Sequence, residues 1–156
     1  MNFVRNYAIE AFRYYAIIGE PTEEEYIKSI RDRAKRQVVS VRNTLSDETL
    51  EKMEQIERDH EAEMRDVIAV INTFKRLSVL RQGRNVKRAV KEVYMHPDFI
   101  MCNKKGIISR NVSRLSIAYP CGERSIYRWL DMAVEIFAEE RGLRVYRKVT
   151  RKQCIY

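Results

Sequence analysis

Between residues 124 and 131, polar side chains recur at steps of three and four beside the only tryptophan of the chain. They are Arg124, Tyr127, Arg128 and Asp131. On a helix that turns by about 100° per residue, all four lie on the side opposite Ile126. Guanidinium, phenol and carboxylate groups reach base edges and phosphates in the major groove of DNA. The spacing predicts a nucleic-acid-binding surface, and it fits an ordinary solvated helix face equally well.

A partner helix precedes this one, because a short connection separates two amphipathic segments. The connection reads YPCG over residues 119–122, where the proline ends the first segment and the glycine serves as N-cap of the second. We predict helices over residues 107–118 and 123–140, the second ended by Gly142, joined as a helix-turn-helix. In the first helix, the predicted inward residues are Ile108, Val112, Leu115 and Ala118, and Arg110 and Arg114 face outward. In the second helix, the predicted inward residues are Ile126, Leu130, Ala133 and Phe137, with Trp129 and Ile136 on the flank.

Apolar residues also recur at helical spacing upstream, and no stretch alternates with the period of a strand. A first helix is predicted over residues 3–18, and Thr22 with Glu25 forms a capping box that begins a second. The apolar stripe then predicts one long helix over 46–77, and a shorter helix follows it. Residues 96–106 are predicted to be a loop. The fold expected is all-α, with about six helices: a helical amino-terminal region followed by a helix-turn-helix domain.

Composition excludes several classes of protein. A hydrophobic content of 45% is enough for a core, so general disorder is not expected. The three cysteines form no CxxC pair, which disfavours a disulfide framework and favours a cytoplasmic location. The amino-terminal segment is interrupted by charges and fits neither a signal peptide nor a membrane span.

Charge is distributed unevenly along the chain. Residues 1–80 carry 13 Lys or Arg and 15 Asp or Glu, a net charge of −2. Residues 81–156 carry 17 Lys or Arg and 7 Asp or Glu, a net charge of +10. A region this basic attracts polyanions through counterion release, and nucleic acid is the commonest such partner.

The segment PCGERSIYRWLDMAVEIFAEERGL resembles the helix-turn-helix of sigma-70 region 4. It is more closely similar to the sigma-like transcriptional activators of phages of Gram-positive bacteria, the ArpU and RinA type. The upstream segment DVIAVINTFKRLSVLRQGRNVKRAVKEVYM resembles the helices that precede the motif in those families. The resemblance covers about residues 64–143. The chain departs from the pattern at Gly122, where Ser or Thr is usual, and in its long 96–106 segment.

This resemblance implies double-stranded DNA binding at a promoter, with possible contact to RNA polymerase. The base-reading positions fall on Glu123, Arg124, Tyr127, Arg128 and Asp131. The phosphate-contacting positions fall on Lys104, Lys105, Arg110, Arg114 and Ser125.

We therefore expect a sequence-specific transcriptional regulator of phage or prophage origin. Residues 1–60 would form a helical region for dimerisation or partner contact, 61–143 the DNA-binding domain, and 144–156 a basic tail. Two alternatives stay open. A small terminase subunit or other DNA-packaging adaptor also joins a helix-turn-helix to oligomerising helices. The second alternative is a helical interaction protein that binds no nucleic acid.

Other candidate sites are weaker. Glu57 and His60 have a ligand-like spacing, but a bundle metal site needs further carboxylates. His96, Cys102 and Cys121 match no zinc-finger or ribbon spacing. The sequence holds no dinucleotide, P-loop, nucleophile-elbow or zincin motif. We therefore expect neither enzyme activity nor a metal or cofactor.

Overall fold

The computed structural model describes residues 3–39 and 47–143, and that part of the chain contains eight helices and no strand. The helices are α1 (Phe3–Ile17), α2 (Glu23–Val39), α3 (Asp47–Asp59), α4 (Glu61–Val79), α5 (Gly83–Val93), α6 (Pro97–Met101), α7 (Lys105–Ala118) and α8 (Glu123–Arg141). The all-α prediction is confirmed for these residues. The predicted basic tail, residues 144–156, lies outside them.

Several helix ends follow directly from local sequence. The Thr22 amide donates to the Glu25 carboxylate at 3.0 Å, and the Glu25 amide donates to the Thr22 hydroxyl at 3.3 Å. This reciprocal capping box satisfies two amides that the first turn of a helix leaves unpaired. Gly142 ends α8 with φ +75°, the left-handed conformation that glycine adopts without steric cost.

Two predicted elements differ from the structure. The single helix predicted over 46–77 is divided at His60, whose φ and ψ are −91° and 0°. Its ring Nδ1 lies 2.7 Å from the carbonyl oxygen of Ile56. The predicted loop 96–106 instead contains α6 and the first two residues of α7. Pro97 stands in the first turn of α6, where its missing N–H costs no hydrogen bond.

Helix α8 lies at the centre of the packing and contacts α4, α5, α1 and α7. Its side chains join a core cluster to which α1 contributes Phe12 and α2 contributes Tyr26 and Ile30. Residue 60 lies between α3 and α4, and α1 packs across it on α4 and α8, so the predicted division into domains stays a prediction. Two large apolar residues of α1 and α3 are exposed, Phe3 at 74% and Leu50 at 51%.

The corner between α4 and α5 depends on a glycine. A Cβ at Gly83 would lie 1.5 Å from the carbonyl oxygen of Leu77, a backbone atom that cannot rotate away. Only a residue without a side chain permits this close approach. The corner brings α5 back against α7 and α8.

Candidate nucleic-acid interface

Helices α7 and α8 are joined by the four residues 119–122, and α5 packs against both. Gly122 is the N-cap of α8 with extended backbone, and no side chain caps this end. The Ser113 hydroxyl donates to the Glu123 carboxylate at 2.7 Å and ties α7 to the first turn of α8. The three helices therefore form one packed unit.

The inward face of α8 matches the prediction. Ile126, Leu130, Ala133 and Phe137 are each 0% exposed. Trp129, predicted on the flank, is 8% exposed and its indole N–H makes no hydrogen bond with a described residue. In α7, Val112 and Leu115 are buried as predicted, Ile108 is half-buried, and Ala118 is exposed. The prediction for Ala118 is wrong, since it ends the helix beside the turn.

The outward face of α8 begins with Arg124 and Arg128. Both are exposed, and neither forms an ion pair with a described residue. Tyr127 is half-buried and packs against the core, because its position lies at the edge of the apolar stripe rather than opposite it. The structure therefore leaves two guanidinium groups of this set facing solvent.

Asp131, predicted to read a base, is engaged within the chain. Arg5 of α1 donates to its carboxylate at 2.5 Å. Burial raises the pKa of the Tyr94 phenol, and the nearby Arg5 guanidinium offsets part of that rise. Sequence periodicity gave no signal for the Arg5–Asp131 pair, because the two residues are 126 positions apart.

The predicted phosphate-binding residues fall into two groups. Lys104 and Lys105 are exposed at the start of α7, and Lys104 is its N-cap. Ser125 is half-buried in the first turn of α8. The other two residues, Arg110 and Arg114, are exposed one turn apart on α7.

Arg110 and Arg114 converge on one carboxylate. Both donate to Oδ2 of Asp98, at 3.3 and 3.1 Å. Arg114 also lies 3.0 Å from Nε2 of His96. The hydrogen bond from Arg114, together with the positive charges of Arg114 and Arg110, holds the pKa of Asp98 below its usual value. The Asp98 carboxylate is therefore ionised at neutral pH.

Arg88, which lies beside the turn, was not among the residues predicted from the sequence. Its guanidinium stacks over the Tyr119 ring at 4.5 Å from the centroid, and the Tyr119 hydroxyl donates to Asn85 at 3.2 Å. The spacing of Val86, Ala89, Val90 and Val93 places Arg88 outward on α5, so helical periodicity was sufficient to find it.

No three His, Cys, Asp or Glu side chains come together to hold a metal ion within the described ranges 3–39 and 47–143. In the same ranges, none of the helices combines the length and apolar character needed to cross a bilayer. Comparison with protein-family models, with curated proteins and with solved structures yields no match. The similarity to the sigma-like phage activators therefore stays a prediction.

Proposed function

We propose that the protein is a double-stranded DNA-binding regulator of transcription, with the first two turns of α8 in the major groove. One observation carries the proposal: Arg124 and Arg128 face solvent without a described ion-pair partner. Farther along the same face, Asp131 pairs with Arg5 and Glu139 pairs with Arg76. Guanidinium groups in this position suit bidentate contacts to guanine and charge-assisted contacts to phosphate.

Basic groups on α5 and α7, the helices that pack with α8, support phosphate contact. Lys104 and Lys105 are exposed at the start of α7, and Arg88 is fixed beside the turn. Such basic groups set the position of a protein on the duplex without reading its sequence. The net charge of +10 over residues 81–156 adds a salt-dependent attraction. Contact with RNA polymerase and dimerisation through residues 1–60 stay predictions.

Footprinting on genomic fragments, followed by titration of the protected duplex at two salt concentrations, tests the proposal. We expect a defined protected site and an affinity that falls steeply with salt. Salt-dependent binding without a protected site would leave only general polyanion affinity, and the regulatory function would then be wrong. Failure to bind any duplex at low salt would reject DNA binding altogether.

A further inference from the structure

Asp98 of α6 contacts the two residues of α7, Arg110 and Arg114, that the sequence predicts to bind phosphate. Its Oδ2 atom accepts from both Arg110 and Arg114, whose side chains stand four residues apart on the same helix face. A carboxylate and a phosphodiester offer arginine the same kind of anionic oxygen acceptor. Two guanidinium groups around one oxygen therefore form an anion-binding site that is filled by the chain itself.

The position of Asp98 is fixed by its own helix. Phe99, the next residue, is 1% exposed in the core. Arg13 of α1 donates to the carbonyl oxygens of Phe99 and Ile100, at 3.1 and 2.7 Å. The Asp98 amide donates to Nδ1 of His96, the N-cap of α6. The backbone around Asp98 is consequently held by the core, by α1 and by the N-cap of α6, with the carboxylate beside the two arginines.

We infer that Asp98 is the resident anion of a phosphate site, and that a phosphate of the DNA backbone must displace it from Arg110 and Arg114. This inference rests on the proposed function and adds a regulatory contact to it. Two anions bound to the same pair of guanidinium groups would repel each other across a few ångströms. DNA binding therefore exchanges an internal ion pair for an external one, and Asp98 lowers the affinity.

The decisive variant is Asp98→Asn, which keeps the shape of the side chain and removes its charge. Glu54→Gln is the matched control, because Glu54 is exposed on α3, a helix that packs on α2 and α4. Both variants remove one negative charge. Binding is followed by fluorescence anisotropy of a labelled mixed-sequence duplex two helical turns long. We expect Asp98→Asn to bind about three- to tenfold tighter than wild type, and Glu54→Gln to change affinity by less than about twofold.

A second measurement does not depend on DNA. Inorganic phosphate is titrated into each protein while the Nε–Hε resonances of Arg110 and Arg114 are followed by NMR. We expect Asp98→Asn to respond at lower phosphate concentration than wild type or Glu54→Gln. Asp98→Ser, which places an uncharged hydroxyl in the first turn of α6, should behave in the same way. Near-UV circular dichroism establishes that each variant is folded.

The two measurements separate the possible failures. If phosphate distinguishes Asp98→Asn but no protein binds the duplex, Asp98 is the resident anion and the DNA-binding proposal is wrong. If both Asp98 variants match Glu54→Gln in both titrations, the inference about Asp98 is overturned. Weaker DNA binding by the Asp98 variants would also overturn it, because Asp98 would then position the arginines for DNA rather than compete with it.

Discussion

The two ends of the outward face of α8 carry opposite charges and are treated differently by the rest of the molecule. At the amino-terminal end, Arg124 and Arg128 face solvent. From the middle of the helix onward, its acidic end, Asp131 and Glu139 pair with Arg5 of α1 and Arg76 of α4, and Glu135 is also engaged within the chain. The fold thus neutralises the acidic end itself.

On this helix, the paired acidic residues take part in packing, and we propose that the exposed arginines take part in recognition. The acidic end serves the attachment of α1 and α4 to α8, and the basic end has no such described role. An exposed charge with no internal partner keeps its hydration and stays available to an external ligand. The comparison predicts that substitutions at the two ends will change different measured quantities.

The largest effect is expected from Trp129→Ala, which removes a large buried side chain from the inward face of α8. Trp129 is 8% exposed, and truncating a buried tryptophan leaves a cavity. We expect the free energy of unfolding to fall by about 3–5 kcal/mol. Chemical denaturation measures this loss, with Ile117→Ala as the control, since Ile117 is 86% exposed. Equal stability of the two variants would show that the inward face of α8 is misplaced.

A smaller effect, confined to binding, is expected at the basic end. Arg128→Ala should weaken binding to the protected duplex by about 1–3 kcal/mol and weaken binding to unrelated duplexes less. Its melting temperature should match that of wild type. Arg65→Ala, which removes an exposed positive charge on α4, is the control. An equal loss on every duplex would make Arg128 a phosphate contact instead of a base-reading residue.

The smallest effect is expected at the acidic end. Asp131→Asn breaks the ion pair with Arg5. The side chains of Arg5 and Asp131 are 37% and 57% exposed, so the free energy of unfolding should fall by no more than about 1 kcal/mol. Sequence preference in a DNA-selection experiment should be unchanged, because Arg5 already binds the carboxylate. A changed sequence preference at one base position would show that Asp131 reads a base. The two ends of the helix face would then not differ in function.

Local sequence was sufficient for much of the fold. The capping box at Thr22 and Glu25, the stop at Gly142 and the buried stripe of α8 each follow from interactions within a few residues. The division at His60 was missed because the apolar stripe continues through it and no proline or glycine marks it. Helix α6 was missed because a proline was interpreted as a sign of a loop.

The candidate site was predictable only in part, for a physical reason. Helical periodicity identifies which residues of one helix face outward, and it found Arg110, Arg114, Arg124 and Arg128. It does not identify what another helix presents to them. The carboxylate of Asp98 is 12 and 16 residues from its two arginines, and Arg5 reaches Asp131 from the opposite end of the described chain. Such pairings are fixed by tertiary packing.

The single indole gives α8 an intrinsic optical reporter. Because Trp129 is the only tryptophan, all indole emission comes from the helix whose first turns carry the candidate contacts. Its ring lies on the core side while Arg124 and Arg128 are on the surface, so a ligand on that surface should leave the emission maximum unchanged. Unfolding would expose the ring to water and shift the emission to longer wavelength. For a variant that fails to bind, one fluorescence spectrum can therefore show whether the protein is still folded.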